Sequence, residues 1–340
     1  MQSSIEHHFI HLAPKAELHV HLEGTLTLHL LQVLAKKHST VVPKAYEELM
    51  GSEEKFELDK FFAAYYEAQS LLRDELDFAE ALYSYLKIAS SQGVRYCEVS
   101  IDIQNHTSRG VSLDTIMQGM KLGQQMAQKD GIEIEAMVIV CLVGEKTEEE
   151  ALKTIEEAAK FRDLIVAIGL ATSEVGLPIK KFERAFLMSK ELGFKTCAHF
   201  WDNGASANIK DGLHCCKLER IDHGMSIFDD SKLLGECIGN QIPFTFCPQS
   251  LITFDQVKLD LSKGFPFRYL LEIGLLISVN SDDAAYNRAY IGDNFALVEK
   301  IYMLEKSHIK KLCENSFKSA FISEKAKKKY LGLVNDYFAQ

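Results

Sequence analysis

The chain has 340 residues, a net charge of −10 and 47% hydrophobic residues, enough apolar content for one large folded core. The acidic balance argues against nucleic acid or an anionic membrane surface as a partner, because both attract concentrated basic patches. The C-terminal lysine run does not change this expectation, since we interpret it as the solvated face of a helix. Its members are Lys325, Lys327, Lys328 and Lys329.

The eight cysteines are scattered through apolar segments, and no Cys-x-x-Cys occurs. This pattern is typical of reduced, buried thiols, and it argues against a disulfide framework or a zinc ribbon. The N-terminus has no basic flank followed by an apolar core, and no segment approaches the length that spans a membrane. We therefore expect a cytoplasmic protein that does not insert into membranes.

The first predicted element is a short buried strand that contains His19 and His21. Alternate residues of a strand face the same side, so these two imidazoles can converge on one point. Two converging imidazoles are a good first half of a zinc site, which needs three or four ligands. The spacing alone is equally compatible with two hydrogen-bonded core histidines.

Helical periodicity follows, over residues 27–37, 59–66 and 75–91, without an intervening strand. We expect this helical insertion, about residues 27–91, to cover the C-terminal face of a barrel, and thus a pocket. From residue 94 onward, short apolar runs alternate with amphipathic helices. The further predicted strands are 94–101, 132–142, 164–170, 195–199, 220–223, 242–247 and 275–281.

Strands that alternate with helices pair in parallel, and eight such units close a barrel. The sequence therefore predicts an α/β fold, a TIM-type (β/α)8 barrel, with residues 1–340 as a single domain. A doubly wound open sheet is the alternative. It is disfavoured because no Gly-x-Gly-x-x-Gly turn follows a strand and no Walker loop is present.

Residues that bind metals or move protons follow most of the predicted strands, at the end where such barrels carry their chemistry. They are His19, His21, Ser173, Glu174, His199, Asp202, His223, Asp282 and Asp283. Three histidines and one aspartate form a nitrogen-rich set that suits Zn²⁺ and leaves a position for water: His19, His21, His199 and Asp282. Asp202, His223 and Asp283 remain available for proton transfer.

Six stretches together resemble the adenosine and adenine deaminase family, and more closely its adenine branch. They read PKAELHVHLEG (14–24), TSRG (107–110), SEVG (173–176), ERIDHG (219–224), FCPQS (246–250) and VNSDD (279–283). The resemblance implies a barrel with one zinc per chain, which replaces a ring amino group by oxygen and releases ammonia. It assigns the metal to His19, His21, His199 and Asp282. It further implies that His223 orients or deprotonates the attacking water, and that Asp283 assists the water and holds a purine nitrogen.

The substrate side departs from the family pattern. After its third metal histidine the family reads Ala-Gly-Glu, in which the glutamate protonates the purine, whereas this chain reads Phe200-Trp201-Asp202. The aspartate is shorter by roughly 1.5 Å, a displacement that can lower a rate about a hundredfold. Trp201 adds an aromatic face that either stacks on a ligand or narrows the entrance. Four further positions also differ: Ala171, Leu177, Leu251 and Ala284.

Three functions are compatible with these residues. The leading one is a zinc-dependent aminohydrolase of adenine, adenosine or a related 6-aminopurine. We expect four residues to contact that substrate: Ser173, Glu174, Trp201 and Asp283. The second function is the same chemistry on another amino-heterocycle or an N6-substituted purine, and the third is a catalytically silent homologue that binds metal and ligand.

Overall fold

The structure, a computed structural model, describes residues 2–52, 55–171, 177–201, 206–254 and 266–340. Eight strands form one sheet in sequence order, and each strand pairs in parallel with the next. They are β1 (Lys15–His21), β2 (Val94–Ile101), β3 (Glu135–Val143), β4 (Ile165–Ala171), β5 (Lys195–Phe200), β6 (Arg220–His223), β7 (Pro243–Phe246) and β8 (Leu276–Val279).

The sheet closes into a barrel between β1 and β8. Val20 and Asp282 form a parallel bridge across this seam. The His21 amide donates to the Asp282 carbonyl at 3.1 Å, and the Asp282 amide donates to the His19 carbonyl at 3.0 Å. Closure rules out the open doubly wound sheet, and the predicted (β/α)8 barrel is confirmed.

Side chains complete the seam where the short β8 leaves backbone amides without strand partners. Asn280 Oδ1 accepts from the Leu18 amide at 2.8 Å, and Glu17 Oε1 accepts from the Ser281 amide at 3.1 Å. Glu17 is buried, and its second oxygen accepts from the Tyr85 hydroxyl at 2.7 Å. These bonds satisfy buried backbone donors that are otherwise costly to desolvate.

Helices surround the barrel and extend over one end of it. They are α1 (Gln2–Leu12), α2 (Leu28–Lys37), α3 (Lys44–Gly51), α4 (Leu58–Gln69), α5 (Glu75–Ser91), α6 (Ile103–Thr107), α7 (Leu113–Lys129), α8 (Glu148–Ala158), α9 (Glu183–Glu191), α10 (Ser206–His214), α11 (Ser231–Gly239), α12 (Pro248–Thr253), α13 (Phe267–Glu272), α14 (Ile291–Tyr302), α15 (Lys306–Ser319) and α16 (Glu324–Phe338). Among the described residues, no helix is both long and apolar enough to cross a bilayer.

Helix α5 packs along α7 in the outer ring of the barrel. Two glycines of α7 permit the close approach, because a Cβ at Gly119 would lie 2.6 Å from the Glu75 carbonyl oxygen and one at Gly123 would lie 2.7 Å from that of Ala79. The helix between β1 and β2 that belongs to the barrel is thus α5. The additional helices after β1 are α2, α3 and α4, so the insertion is shorter than the 27–91 segment expected from periodicity.

The inserted helices contact the segments that follow β7 and β8. The Phe61 ring of α4 lies 4.8 Å from the Phe254 ring and 5.3 Å from the Tyr286 ring, both edge to face. The Phe56 amide, just before α4, donates to the Thr253 carbonyl at 3.0 Å. These contacts bring α4 to the end of the barrel at which the strands terminate, which is where the predicted site residues cluster.

The close packing of α5 on α7 predicts opposite effects for two helical glycines. Gly123→Ala would force a methyl group against Ala79 and destabilise the fold by about 1–3 kcal/mol. Gly235→Ala in α11 is the control, because nothing lies within 4 Å of a Cβ there. It is expected to stabilise by about 0.5–1 kcal/mol through helix propensity. Thermal unfolding midpoints measure both changes, and equal shifts in the two variants would contradict the packing.

Candidate active site

The four predicted metal-binding side chains come together at the C-terminal end of the barrel. One ligand atom from each lies within 4.8 Å of the other three. We call this set the ligand cluster, and all of its members are buried: His19, His21, His199 and Asp282. The first two project from β1, the third from β5, and Asp282 follows β8.

Hydrogen bonds determine which nitrogen of the neutral His19 ring carries the proton. Its Nδ1 lies 2.8 Å from Thr245 Oγ1, which lies 2.7 Å from Asp222 Oδ1. Burial opposes ionisation of Asp222, but the guanidinium of Arg220 holds the pKa of this carboxyl well below its usual range. An ionised carboxylate only accepts, so the threonine hydroxyl donates to Asp222 and accepts from His19 Nδ1–H. In the neutral form of this ring, Nε2 carries the lone pair.

The His199 ring has the same tautomer for a different reason. Its Nδ1 lies 2.8 Å from the Leu170 carbonyl oxygen, which can only accept a hydrogen bond. Burial, with His19 nearby, lowers the pKa of His199 well below its ordinary value, so the ring is neutral and its Nε2 carries a lone pair. The Nε2 atoms of His19 and His199 are only 2.8 Å apart. Two lone pairs at this distance repel each other unless a cation lies between them.

The remaining members of the ligand cluster add donors of the same kind. His21 Nε2 lies 3.1 Å from His199 Nε2 and 3.4 Å from Asp282 Oδ1. Asp282 Oδ1 is also 3.2 Å from His19 Nε2. Its other oxygen accepts from the Ser250 hydroxyl at 2.7 Å, which in turn accepts from Asn287 at 2.7 Å. Three imidazole nitrogens and a held carboxylate therefore suit a bound divalent metal ion.

Two site residues have left-handed backbone conformations, with φ of 61° at both His223 and Asp282. Such values are uncommon outside glycine and cluster at functional sites. His223 ends β6 and Asp282 lies three residues after the end of β8, so the chain turns just beyond both strands. His223 Nε2 lies 3.9 Å from Asp282 Oδ2.

Trp201 and Asp283 adjoin members of this arrangement, Trp201 through the His223 ring and Asp283 through Asp282 in the sequence. The Trp201 ring stands edge to face against the His223 ring, with centroids 4.5 Å apart. Asp283 is buried, and its Oδ1 has no hydrogen-bond partner among the described residues. A Cβ at Gly24 would collide with that carboxyl group, so only glycine admits it there. Burial and the neighbouring Asp282 raise the pKa of Asp283 well above its usual range.

Comparisons with known proteins agree with this geometry. A sequence model described as adenosine deaminase matches residues 14–337. The chain is 36% identical to the adenine deaminase of Wolinella succinogenes, over 92% of this chain and 94% of that protein. It is 34% identical to the adenine deaminase of Streptomyces coelicolor, over 95% of both chains. A crystal structure of adenine deaminase from Arthrobacter aurescens matches with a TM-score of 0.90 at 32% identity, covering 96% of this chain and 100% of the other.

The chain belongs to the adenosine deaminase family. The family inferred from the six sequence stretches is thereby confirmed. As a member, this deaminase is a hydrolase that acts on carbon–nitrogen bonds of cyclic amidines.

Three predicted site residues of the deaminase, Ser173, Glu174 and Asp202, lie outside the described residues. Conversely, sequence reasoning assigned no role to Asp222, Thr245 or Ser250. The stretches ERIDHG and FCPQS contained Asp222 and Ser250 without indicating their partners. Thr245 was one polar residue inside an apolar strand, which is the only local signal that could have marked it.

The hydrogen bond to Thr245 predicts a specific metal-affinity effect. Thr245→Val removes the hydroxyl that orients His19 and should weaken metal binding about 10- to 100-fold. Thr196→Val is the matched control, because Thr196 is also buried on a barrel strand but bonds only the Lys217 carbonyl. Competition with a chelator measures the affinity, and His199→Ala, which removes a ligand, gives the lower reference. An unchanged affinity in Thr245→Val would exclude this orienting role.

Proposed function

We propose that this deaminase is a zinc-dependent aminohydrolase that converts adenine, or adenosine, into the 6-oxopurine and ammonia. The close approach of the His19 and His199 Nε2 atoms is the observation that carries the proposal, because a metal cation bound by both nitrogens relieves the repulsion of their lone pairs. Asp283, a buried carboxyl group with one oxygen that has no hydrogen-bond partner among the described residues, directly follows Asp282 in the sequence. The adenine deaminases of Wolinella and Streptomyces support adenine as the substrate.

Zinc fits the ligand cluster better than magnesium or calcium, which prefer sets made of oxygen atoms. A zinc ion at this place supplies the Lewis acidity that makes a water molecule reactive at neutral pH. One ion per chain is proposed, held by four residues: His19, His21, His199 and Asp282.

Each residue near the ligand cluster has its own part in the proton transfers. His223 lies beside Asp282 and takes the proton that the attacking water loses. Asp283 holds the water and a nitrogen of the five-membered ring. Asp202, at the family's glutamate position, gives a proton to the six-membered ring, so that C6 becomes electrophilic. The water oxygen then bonds to C6. The amino nitrogen takes the proton held by His223 and leaves as ammonia when its bond to C6 breaks, while the new hydroxyl returns a proton to Asp202 and becomes the 6-oxo group.

The substrate side carries the remaining proposed contacts. Trp201 packs against His223, and from there its ring limits the space on the water side of the purine. Ser173 and Glu174 are proposed to contact the purine, as their place in the SEVG stretch implies. The tryptophan and aspartate at 201 and 202 also favour a second candidate substrate, an N6-substituted purine or another amino-heterocycle.

Ammonia release tests this function directly. The zinc-loaded protein should release ammonia from adenine faster than it releases ammonia from adenosine or adenosine phosphate, or methylamine from N6-methyladenine or N6-methyladenosine. Asp283→Ala should lower kcat at least about 10²-fold, since it removes a group that positions the water and the ring. Metal content measured on the same sample should stay unchanged. Release from none of these compounds would refute the aminohydrolase function and favour a silent binding homologue.

The shorter arm of Asp202 predicts a gain of function. Asp202→Glu should raise kcat/KM for adenine about 10- to 100-fold, because it restores the reach of the proton donor. Asp202→Asn should lower the rate at least about 10²-fold. Steady-state kinetics on both variants check this. A glutamate variant slower than the parent on the parent's best substrate would instead show that aspartate matches a ligand bound closer to it.

A further inference from the structure

A second group of buried polar side chains lies beside the ligand cluster. We call it the acidic edge, and it consists of Tyr65, Gln69, Glu23 and Asp102. Glu23 follows β1 by two residues, and Asp102 directly follows β2. His21 pairs with Ser100 across these two strands. The acidic edge therefore lies at the same barrel end as His21, one strand to the side.

The carboxyl groups of the acidic edge have unused oxygens. Asp102 is 1% exposed; the Tyr65 hydroxyl lies close enough to lower the pKa of its carboxyl group, yet neither oxygen completes a hydrogen bond of good geometry with any described residue. Glu23 is fully buried; its Oε1 accepts from the Asp102 amide at 3.1 Å, whereas its Oε2 has no described partner. Buried polar atoms in native proteins are nearly always paired, so unpaired ones indicate a missing ligand or water.

Helix α4 brings an unpaired amide to the same place. Gln69 is 1% exposed, and both polar atoms of its side chain lack partners among the described residues. Tyr65 is one helical turn earlier, on the same face of α4, which packs on Glu23–Thr25. Burial raises the pKa of the Tyr65 phenol well above its usual value, and the charges of Asp102 and Glu23 raise it further. The inserted helix and two barrel strands thus place unused polar atoms together.

The nearby basic residues Arg109 and His106 do not pair with the Asp102 carboxyl group. Arg109 donates to the Gln69 carbonyl at 3.0 Å and to His106 Nδ1 at 2.6 Å. His106 must then carry its proton on Nε2, which donates to Glu23 Oε1 at 2.7 Å. These hydrogen bonds occupy Arg109 and His106, so neither of them pairs with Asp102. Burial and the charge of Glu23 raise the pKa of Asp102 to about 7.

This charge distribution restricts the ligand that the acidic edge can accept. A phosphate group is repelled, because no described lysine or arginine is unused there and two carboxyl groups lie close by. A neutral hydrogen-bond donor fits, since Asp102 and Gln69 both offer acceptor oxygens. A free purine base presents such a donor, the N–H of its five-membered ring, and a substituent on that nitrogen removes it.

We propose that Asp102 and Gln69 form a specificity subsite that hydrogen-bonds the ring N–H of a free purine base and rejects N-substituted and phosphorylated purines. The inference rests on the proposed aminohydrolase function, because it concerns the opposite edge of the same substrate. Asp102 in this role contacts the substrate and leaves the chemical step to the ligand cluster and its neighbours.

Adenine and 9-methyladenine form the test pair, because the methyl group removes the ring N–H. The parent should have a KM for adenine at least tenfold below that for 9-methyladenine. Asp102→Ala should raise the adenine KM about 10- to 100-fold, the range expected when a buried donor loses its acceptor, with a smaller change in kcat. The KM for 9-methyladenine should stay within about threefold of the parent value, so the variant should lose the preference for adenine over 9-methyladenine. Gln69→Leu should weaken the preference in the same direction.

Asp77→Asn is the matched control. Asp77 is also buried, but it is fully paired, with Lys37 at 2.7 Å and His38 at 2.8 Å. Its replacement should lower the thermal midpoint and leave the preference for adenine unchanged. Asp102→Asn should instead keep or raise the midpoint of the ligand-free protein, because an unpaired buried carboxyl group destabilises it. A lower midpoint together with equal KM changes for both compounds would show a purely structural Asp102 and overturn the proposal.

Calorimetric binding separates this inference from the proposed function. If the parent deaminates adenine but Asp102→Ala retains the full preference, the subsite is refuted and the aminohydrolase function stands. If the parent releases no ammonia, calorimetry still tests the subsite, because it compares the affinities of adenine and 9-methyladenine for the parent and for Asp102→Ala. Equal affinities of the two compounds for the parent would overturn the subsite.

Discussion

The closure of the barrel between β1 and β8 is the constraint on which the site depends. The backbone hydrogen bonds that join these strands are made by His19, His21 and Asp282, whose side chains also belong to the ligand cluster. The positions of these three side chains are therefore set by the same bonds that close the sheet. This arrangement preorganises most of the cluster, because the three cannot separate without opening the seam.

A buried polar column supports the cluster from below. Arg220 connects Glu98, at 2.5 Å, to Asp222, at 3.3 Å, and Asp222 reaches His19 through Thr245. Glu98 Oε1 also accepts from the Phe321 amide at 2.6 Å, beyond α15, so the column extends to the C-terminal part of the chain. Buried ion pairs contribute little net stability once desolvation is counted. The role that remains is orientation, since the column fixes which His19 nitrogen carries the proton.

Local sequence patterns predicted the features of the fold that follow from periodicity along the chain. Alternating strands and helices, and the position of polar residues at strand ends, were sufficient for the barrel and for the assembly of the ligand cluster. Thr245 escaped notice because its partner His19 is 226 residues away, and hydrogen bonds at that separation leave no periodic signal. Helix α3 was not predicted, since only Tyr46 and Leu49 of it are buried. Helix α5 was assigned to the insertion because chain order alone does not show packing on α7.

The ligand cluster and the substrate side of the site stand on different parts of the fold. The substrate side can therefore vary while the ligand cluster keeps its geometry. The ligand cluster is fixed by the strand seam and the column beneath it. The residues that we propose to contact the substrate, Trp201, Asp102 and Gln69, stand on connections and on the inserted helix α4, and none of these three takes part in the seam. A substitution at position 201 therefore leaves the barrel closure intact. Divergence of substrate recognition is expected to concentrate there, because changes at the seam would move the ligand atoms themselves.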